Sequence, residues 1–399
     1  MTKADKEGQR KAPILRFKGF TDDWEQRKLG KVIERRTQKR EFSDLPYIEY
    51  ADIIPNIGRL NKDIFSRKNT KQGIYFQKND ILFGKLRPYL NNWLKPQFEG
   101  IAVGDFWILN GIKLNNDFLY YYIQTKKFSD VANVTTGTKM PRSDWNLVSN
   151  LKIKFPNFEE QQNIGKLFYS LENLITLYDR KLKLLSQIKK YFLDNLFAKK
   201  EYPNLRFKGF TDAWEQRKLS SILIERKDLS TESKQFPLSS FIQEKGVVPK
   251  SQRYDRSFLV KDSSKKYKVT KFGDFIYSSN NLDTGSIGLN SYGNAVISPV
   301  YSVFSSKNSN ILETNFVNLL FQQNFYKNKM LRFRQGVMYG QLKIKEDDFL
   351  KVKVNVPSQI EIKNIINLFS KIESYATLLE NKKKQLVQIK NTLLNTMFI

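Results

Sequence analysis

The chain repeats itself, and the repeat constrains its fold more than any other feature. Residues 15–29 read LRFKGFTDDWEQRKL and residues 205–219 read LRFKGFTDAWEQRKL; only Asp23 against Ala213 differs. A second pair of segments, 156–197 and 357–398, matches at an offset of 201. Between these repeats lie two stretches of similar length and very different sequence. A duplicated frame thus carries two unlike inserts, and one scaffold presents two different surfaces.

The second repeat is the frame's long element. Ile164, Leu171, Tyr178, Leu185 and Phe192 fall seven apart, as do Ile365, Ile372, Leu379, Leu386 and Leu393. Leu167, Leu174 and Ile188, with Leu368, Tyr375 and Ile389, follow three residues later, and Phe168, Ile175, Leu182 and Leu196 follow four residues later, giving further apolar rows. Neither stretch contains an internal proline. The pattern predicts two long helices packed as an antiparallel coiled coil, with a core helix of a globular bundle as the alternative. At 1.5 Å per residue each helix spans about 55 Å. That length matches about 16 base pairs of duplex, an upper bound on the distance between two heads.

The inserts read as mixed. Segments 47–54, 80–83, 106–109 and 151–155 suggest strands, with Asn116 capping a helix through DFLYYYIQTKKF. In the second insert 272–279 and 351–356 suggest strands, with Thr314 capping NFVNLLFQQNFY. Phe118 and Gln124 align with Phe316 and Gln322, so one fold is used twice. The expected class is α+β: two similar mixed α/β domains separated by the two long helices and related by a pseudo-two-fold duplication. The expected divisions are a disordered tail at 1–12, domains at 13–156 and 201–356, and helical spacers at 157–200 and 357–399.

Charge indicates the partner. The chain carries +28, and residues 30–155 and 220–356 each hold 21 basic and 12 acidic side chains, a surplus of nine apiece. Equal basic excess on two heads points to a nucleic acid, with solubility or an acidic protein as the alternatives. The chain has no histidine and no cysteine, which removes the commonest general base, thiolate metal sites and disulfides. The paired carboxylates Asp22–Asp23, Glu159–Glu160 and Asp347–Asp348 lack a catalytic constellation and read as solvated charge. No phosphate loop, dinucleotide fingerprint or methyltransferase motif is present. No apolar run is long enough to span a membrane, and the polar start predicts a cytoplasmic protein.

Base edges are read by Arg, Lys, Asn and Gln on scaffolded loops, while other polar groups hold phosphates. The candidate DNA-binding residues in the first head are Lys85, Arg87, Tyr89, Asn91, Thr136, Gly137, Thr138, Lys139 and Arg142. In the second they are Ser279, Asn280, Asn281, Gln335, Gly336, Met338, Tyr339 and Gln341. Gly137, Gly336 and Gly340 allow close approach of backbone to a groove. Trp24 and Trp214 share one slot of the repeated motif, beside Phe20 and Phe210, and read as packing rather than base stacking.

The LRFKGFTDDWEQRKLG-type openings, the segment DILFGKLRPYL at 80–90, the passage FPNFEEQQNIG and the long helices together resemble the specificity subunit of type I restriction-modification systems. The resemblance covers nearly the whole chain from Pro13. The second junction, VPSQIEIKNI, departs from it by lacking the Glu-Gln of Glu160 and Gln161. The resemblance implies two target-recognition domains that each read half of an asymmetric bipartite DNA site. It also implies two modification subunits, which hold S-adenosylmethionine and methylate adenine N6, and restriction subunits that translocate and cut. No cofactor, metal or catalysis is expected in this chain. A stand-alone DNA-binding regulator, a carboxylate nuclease and a coiled-coil adaptor are the competing readings.

Overall fold

The computed structural model describes residues 11–40, 44–67, 71–136, 140–242, 246–250, 265–278, 286–336 and 342–399. Most of the expected tail at 1–12 lies outside them. Contacts divide the chain into two compact units, Met1–Arg180 with Glu380–Ile399, and Lys181–Leu379. Each unit therefore draws on both long helices, Phe158–Asn195 and Gln359–Thr396.

Each long helix begins by the same local chemistry. A proline, Pro156 or Pro357, ends the preceding strand, and the next residue caps the helix. Asn157 accepts the Glu160 N–H at 3.0 Å, and Ser358 accepts the Glu361 N–H at 3.3 Å. Such caps stabilise a helix by about 1 kcal/mol. The glutamates then bind the opening motif. Arg16 makes two hydrogen bonds to Glu160, at 2.7 and 2.8 Å, and Arg206 makes two to Glu361, both at 2.9 Å. Both carboxylates are buried, so each needs its bidentate partner. The second junction therefore keeps the glutamate that the sequence comparison placed among its losses. Only the glutamine is replaced, by Ile362.

The far ends of the helices close the frame. Leu15 N–H donates to Thr396 O in one unit, and Leu205 N–H to Asn195 O in the other. Phe398 packs on Phe118 and Phe168, and its counterpart Phe197 packs on Phe316 and Phe369. Trp24 and Trp214 are buried in these clusters, against Phe118 and Phe316. In the first unit Glu172 pairs with Lys390 at 2.6 Å and Asp179 with Lys383 at 2.5 Å, so the two helical segments run antiparallel there. In the second, Lys189 pairs with Glu373 at 3.0 Å.

All ten residues of the first heptad row are buried or half-buried. The row three residues later is not the second seam, because Leu174, Ile188, Tyr375 and Ile389 are exposed. The inward row lies four residues on, at Phe168, Ile175, Leu182 and Leu196.

The two heads share a plan. Glu25–Lys28 pairs antiparallel with Lys152–Phe155, as Glu215–Lys218 does with Lys353–Val356. A four-stranded sheet follows in each. Its order is Ile33–Arg36, Phe106–Gly111, Ile81–Gly84, Trp93–Leu94 in the first head, and Leu223–Glu225, Ser302–Ser306, Phe275–Tyr277, Ile287–Leu289 in the second. Two helices cover it: Asn116–Tyr122 and Lys126–Ala132, or Ile311–Phe321 and Asn324–Leu331. Three expectations shift. Residues 47–54 form two short strands around a 3-10 turn, Tyr50–Asp52. Asn115, not Asn116, caps its helix, because Asn116 instead accepts the Gly111 N–H. Asn310, not Thr314, caps the second head's helix, and Thr314 lies buried within it.

Candidate nucleic-acid interface

In the first head the central strand Ile81–Gly84 delivers the chain to the candidate loop. Its base is held by Asp80, which accepts from Arg36 and from the Gln77 N–H. Burial pushes the Asp80 carboxyl above its usual value, against the pull of those two partners. Gly84 ends the strand where any side chain would meet the Tyr50 ring and the backbone of Asn92.

Beyond Gly84 the two candidate loops meet. Ser143 N–H donates to Lys85 O, Leu86 bridges to Arg142, and Arg87 N–H donates to Pro141 O at 2.7 Å. Pro88 then opens a single 3-10 turn flanked by Arg87 (φ 49°) and Asn91 (φ 53°), both left-handed. Asn56 (φ 63°) joins them: its N–H donates to Asn91 O, and its side chain accepts from the Asn91 amide at 2.8 Å. Non-glycine residues in this conformation cost about 1–3 kcal/mol each and persist where surroundings impose them, commonly at functional loops.

The charges here are unevenly committed. Asp105 accepts from Arg142 at 3.0 Å and lies 3.4 Å from Lys85. Tyr50 fixes both loops, donating to Asp105 O and accepting from the Leu86 N–H. Burial pushes its hydroxyl well above the usual range, so it stays a donor. Arg87 and Tyr89 are exposed, and neither side chain has a partner among the described residues. Arg87 thus presents a free planar donor fork, the group best suited to guanine edges and phosphates. Thr136 lies in a short strand opposite Arg142. Gly137, Thr138 and Lys139 lie outside the described residues.

Residues 21–187 match the family model described as the type I restriction modification DNA specificity domain. This stretch is similar to a type I DNA specificity domain. The chain is also 25% identical over 360 residues to the type I restriction enzyme MjaVIII specificity subunit of Methanocaldococcus jannaschii, covering 84% of this chain and 79% of that protein. A shorter match, 29% over 90 residues, joins it to the EcoDI specificity subunit of Escherichia coli, covering 22% of this chain and 20% of that one. Among solved structures, the type I S subunit of M. genitalium shares the fold with a TM-score of 0.59 at 12% identity, covering 97% of this chain and 99% of that one. A structure on complex assembly and conformational transition of the type I R-M system gives 0.53 at 14% identity, covering 93% and 96%.

The matched specificity domain has its counterpart in the second unit, where the frame repeats. Gln335–Gly336 pairs with Leu342–Lys343, as Thr135–Thr136 pairs with Arg142–Ser143. Gln335 is exposed and donates to Asp348 at 3.3 Å. Among the described residues no atom comes within 4 Å of a Cβ at Gly336. The strand Phe275–Tyr277 is tied to the foot of this hairpin by Tyr277, which donates to Ile344 O. Ser279, Asn280, Asn281, Met338, Tyr339, Gly340 and Gln341 lie outside the described residues.

Sequence reasoning missed Asn56, Asp105 and Tyr50. Asn56 carried a signal, since Pro-Asn-Ile-Gly is a turn sequence; Asp105 and Tyr50 are recognisable only once strands bring them to the loop. The paired carboxylates are engaged in structure: Glu160 with Arg16, Asp348 with Lys351, and Asp23 with Lys11. Among the described residues no group of three or more acidic, histidine or cysteine side chains is placed to hold a metal. No helix among them is long and apolar enough to cross a membrane.

Proposed function

We propose that the chain is the DNA specificity subunit of a type I restriction-modification enzyme, itself non-catalytic and cytoplasmic. Each head reads one half of an asymmetric bipartite duplex target, and the helices set the distance between the halves. The observation that carries this reading is one frame, closed by the same Arg–Glu pair, buried Trp and terminal Phe in both units, bearing different loops. Arg87 leads the first head's contacts, with Lys85 and Arg142 released from Asp105 toward phosphates. In the second head Gln335 and Gly336, with Ser279, Asn280, Asn281, Met338, Tyr339 and Gln341, take this role. The domain divisions are heads at 13–156 and 201–356, with helical spacers at 157–200 and 357–399.

The frame also supports partners. Leu174, Leu177, Leu184, Ile188 and Tyr191 are all exposed on one helix, and Tyr375, Leu378 and Ile389 on the other. Leu177, Leu184 and Tyr191 fall seven apart, with Leu174 three residues before the first and Ile188 three before the last, a second heptad stripe uncovered among the described residues. Two modification subunits, holding S-adenosylmethionine and methylating adenine N6, dock their own helices there, and restriction subunits join through them. A stand-alone regulator has no use for such a stripe.

Mapping N6-methyladenine in cells with the partner, with and without this chain, tests the proposal. Loss of one asymmetric split motif on deletion is expected. An unchanged methylome with an active partner would contradict it.

A further inference from the structure

The second unit holds a cavity of about 700 Å³ between its helical frame and the helix Ile311–Phe321. The same place in the first unit is filled. Offsets of 201 in the frame and 198 in the head align Glu373 with Glu172, Lys189 with Lys390, and Gln322 with Gln124. They also align Asn318 and Leu319 with Tyr120 and Tyr121. Strand registers align Ile287 and Gly288 with Trp93 and Leu94. Four bulky side chains thus become smaller ones.

The first unit's own hairpin completes the filling. Arg59 donates to Glu172 O at 3.2 Å, and Gly58 beside it leaves no room for a Cβ against Tyr120 and Trp93. There Lys390 is held by both Glu172 and Gln124. In the second unit Lys189 keeps only the Glu373 contact, and two further lysines line the wall. Lys190 and Lys327 stand where the first unit has Asn391 and Ser129. The side chains of Lys190, Lys327, Asn318 and Gln322 have no partner among the described residues. Bulk has been lost and uncommitted positive charge gained at one concave place, a combination that packing does not require.

We propose that this cavity binds an organic phosphate of nucleotide size. Lys190 and Lys327 meet its phosphates as flexible point charges, Asn318 and Gln322 bond its polar groups, and Leu289 and Ile366 face its organic body. The first unit, plugged by Tyr120 and Arg59, has no such site, so one molecule binds per chain.

Calorimetric titration of the purified full-length chain with ADP, and in parallel with pyrophosphate, tests this. One ADP per chain is expected, with pyrophosphate weaker because it lacks the organic body. K190A, at an exposed position, and K327A, at a half-buried one, each weaken ADP by roughly tenfold. N318Y, which copies the first unit, abolishes binding while duplex DNA affinity and melting temperature stay unchanged. No ADP binding at millimolar concentration would overturn the proposal. So would two ADP per chain, pyrophosphate binding as tightly as ADP, or ADP affinity untouched by both lysine variants, the mark of general attraction to a basic surface.

Discussion

Arg87 sits in an unfavourable left-handed backbone conformation with an exposed side chain, the arrangement on which the proposed DNA contact rests. It precedes a proline, which disfavours the right-handed helical region, and the Pro141 carbonyl holds it in the left-handed one. Replacing it with alanine removes a base- or phosphate-reading fork without removing a packed group. R87A is expected to weaken cognate duplex binding by about 1–3 kcal/mol, the worth of one good bidentate contact, with the melting temperature unchanged. Equilibrium binding at fixed salt checks this; cognate affinity equal to the parent would remove Arg87 from the interface. Trp24 is the opposite case. Its place in the repeat, beside the equally repeated Phe20, made its packing legible from sequence. W24A should cost about 3–5 kcal/mol as a buried aromatic truncation, read as a lowered denaturant midpoint. The helix caps were less legible. Asn115 and Asn116 are adjacent and chemically alike, and only the strand carbonyls and amides beside them decide which one caps.

At the scale of elements, the long helices were legible because their apolar spacing persists through five heptads without proline. The choice of second seam row was not. Apolar residues occur both three and four positions after the first row, and sequence does not say which set meets the protein's own chain. The structure turns Phe168, Ile175, Leu182 and Leu196 inward and leaves Leu174, Leu177, Leu184 and Ile188 outside. An apolar surplus that the chain itself does not cover is what a docking helix requires. L177K together with L184K should leave the folding stability within about 0.5 kcal/mol of the parent, as exposed positions do, yet abolish co-purification with the modification subunit. A retained complex would move the docking surface elsewhere. The candidate loops could be proposed from sequence, but not the contacts that shape them. Polar residues after a strand mark the place, while the contacts that shape it, through Tyr50, Asp105 and Asn56, join segments more than thirty residues apart.

At the scale of the whole molecule, duplication separates what is kept from what varies. The kept parts are Arg16 and Arg206, Glu160 and Glu361, Trp24 and Trp214, and Phe197 and Phe398, all of which close the frame. The varied parts are the loops that a head presents and the side chains that fill or open the cavity beside it. Such a division predicts modular specificity. The most direct measurement replaces residues 31–155 with the equivalent head of another specificity protein and maps N6-methyladenine in cells carrying the chimera and its modification partner. One half of the split motif should change and the other half, with its orientation, should remain. A motif altered in both halves, or in neither, would contradict two independent reading heads on one frame.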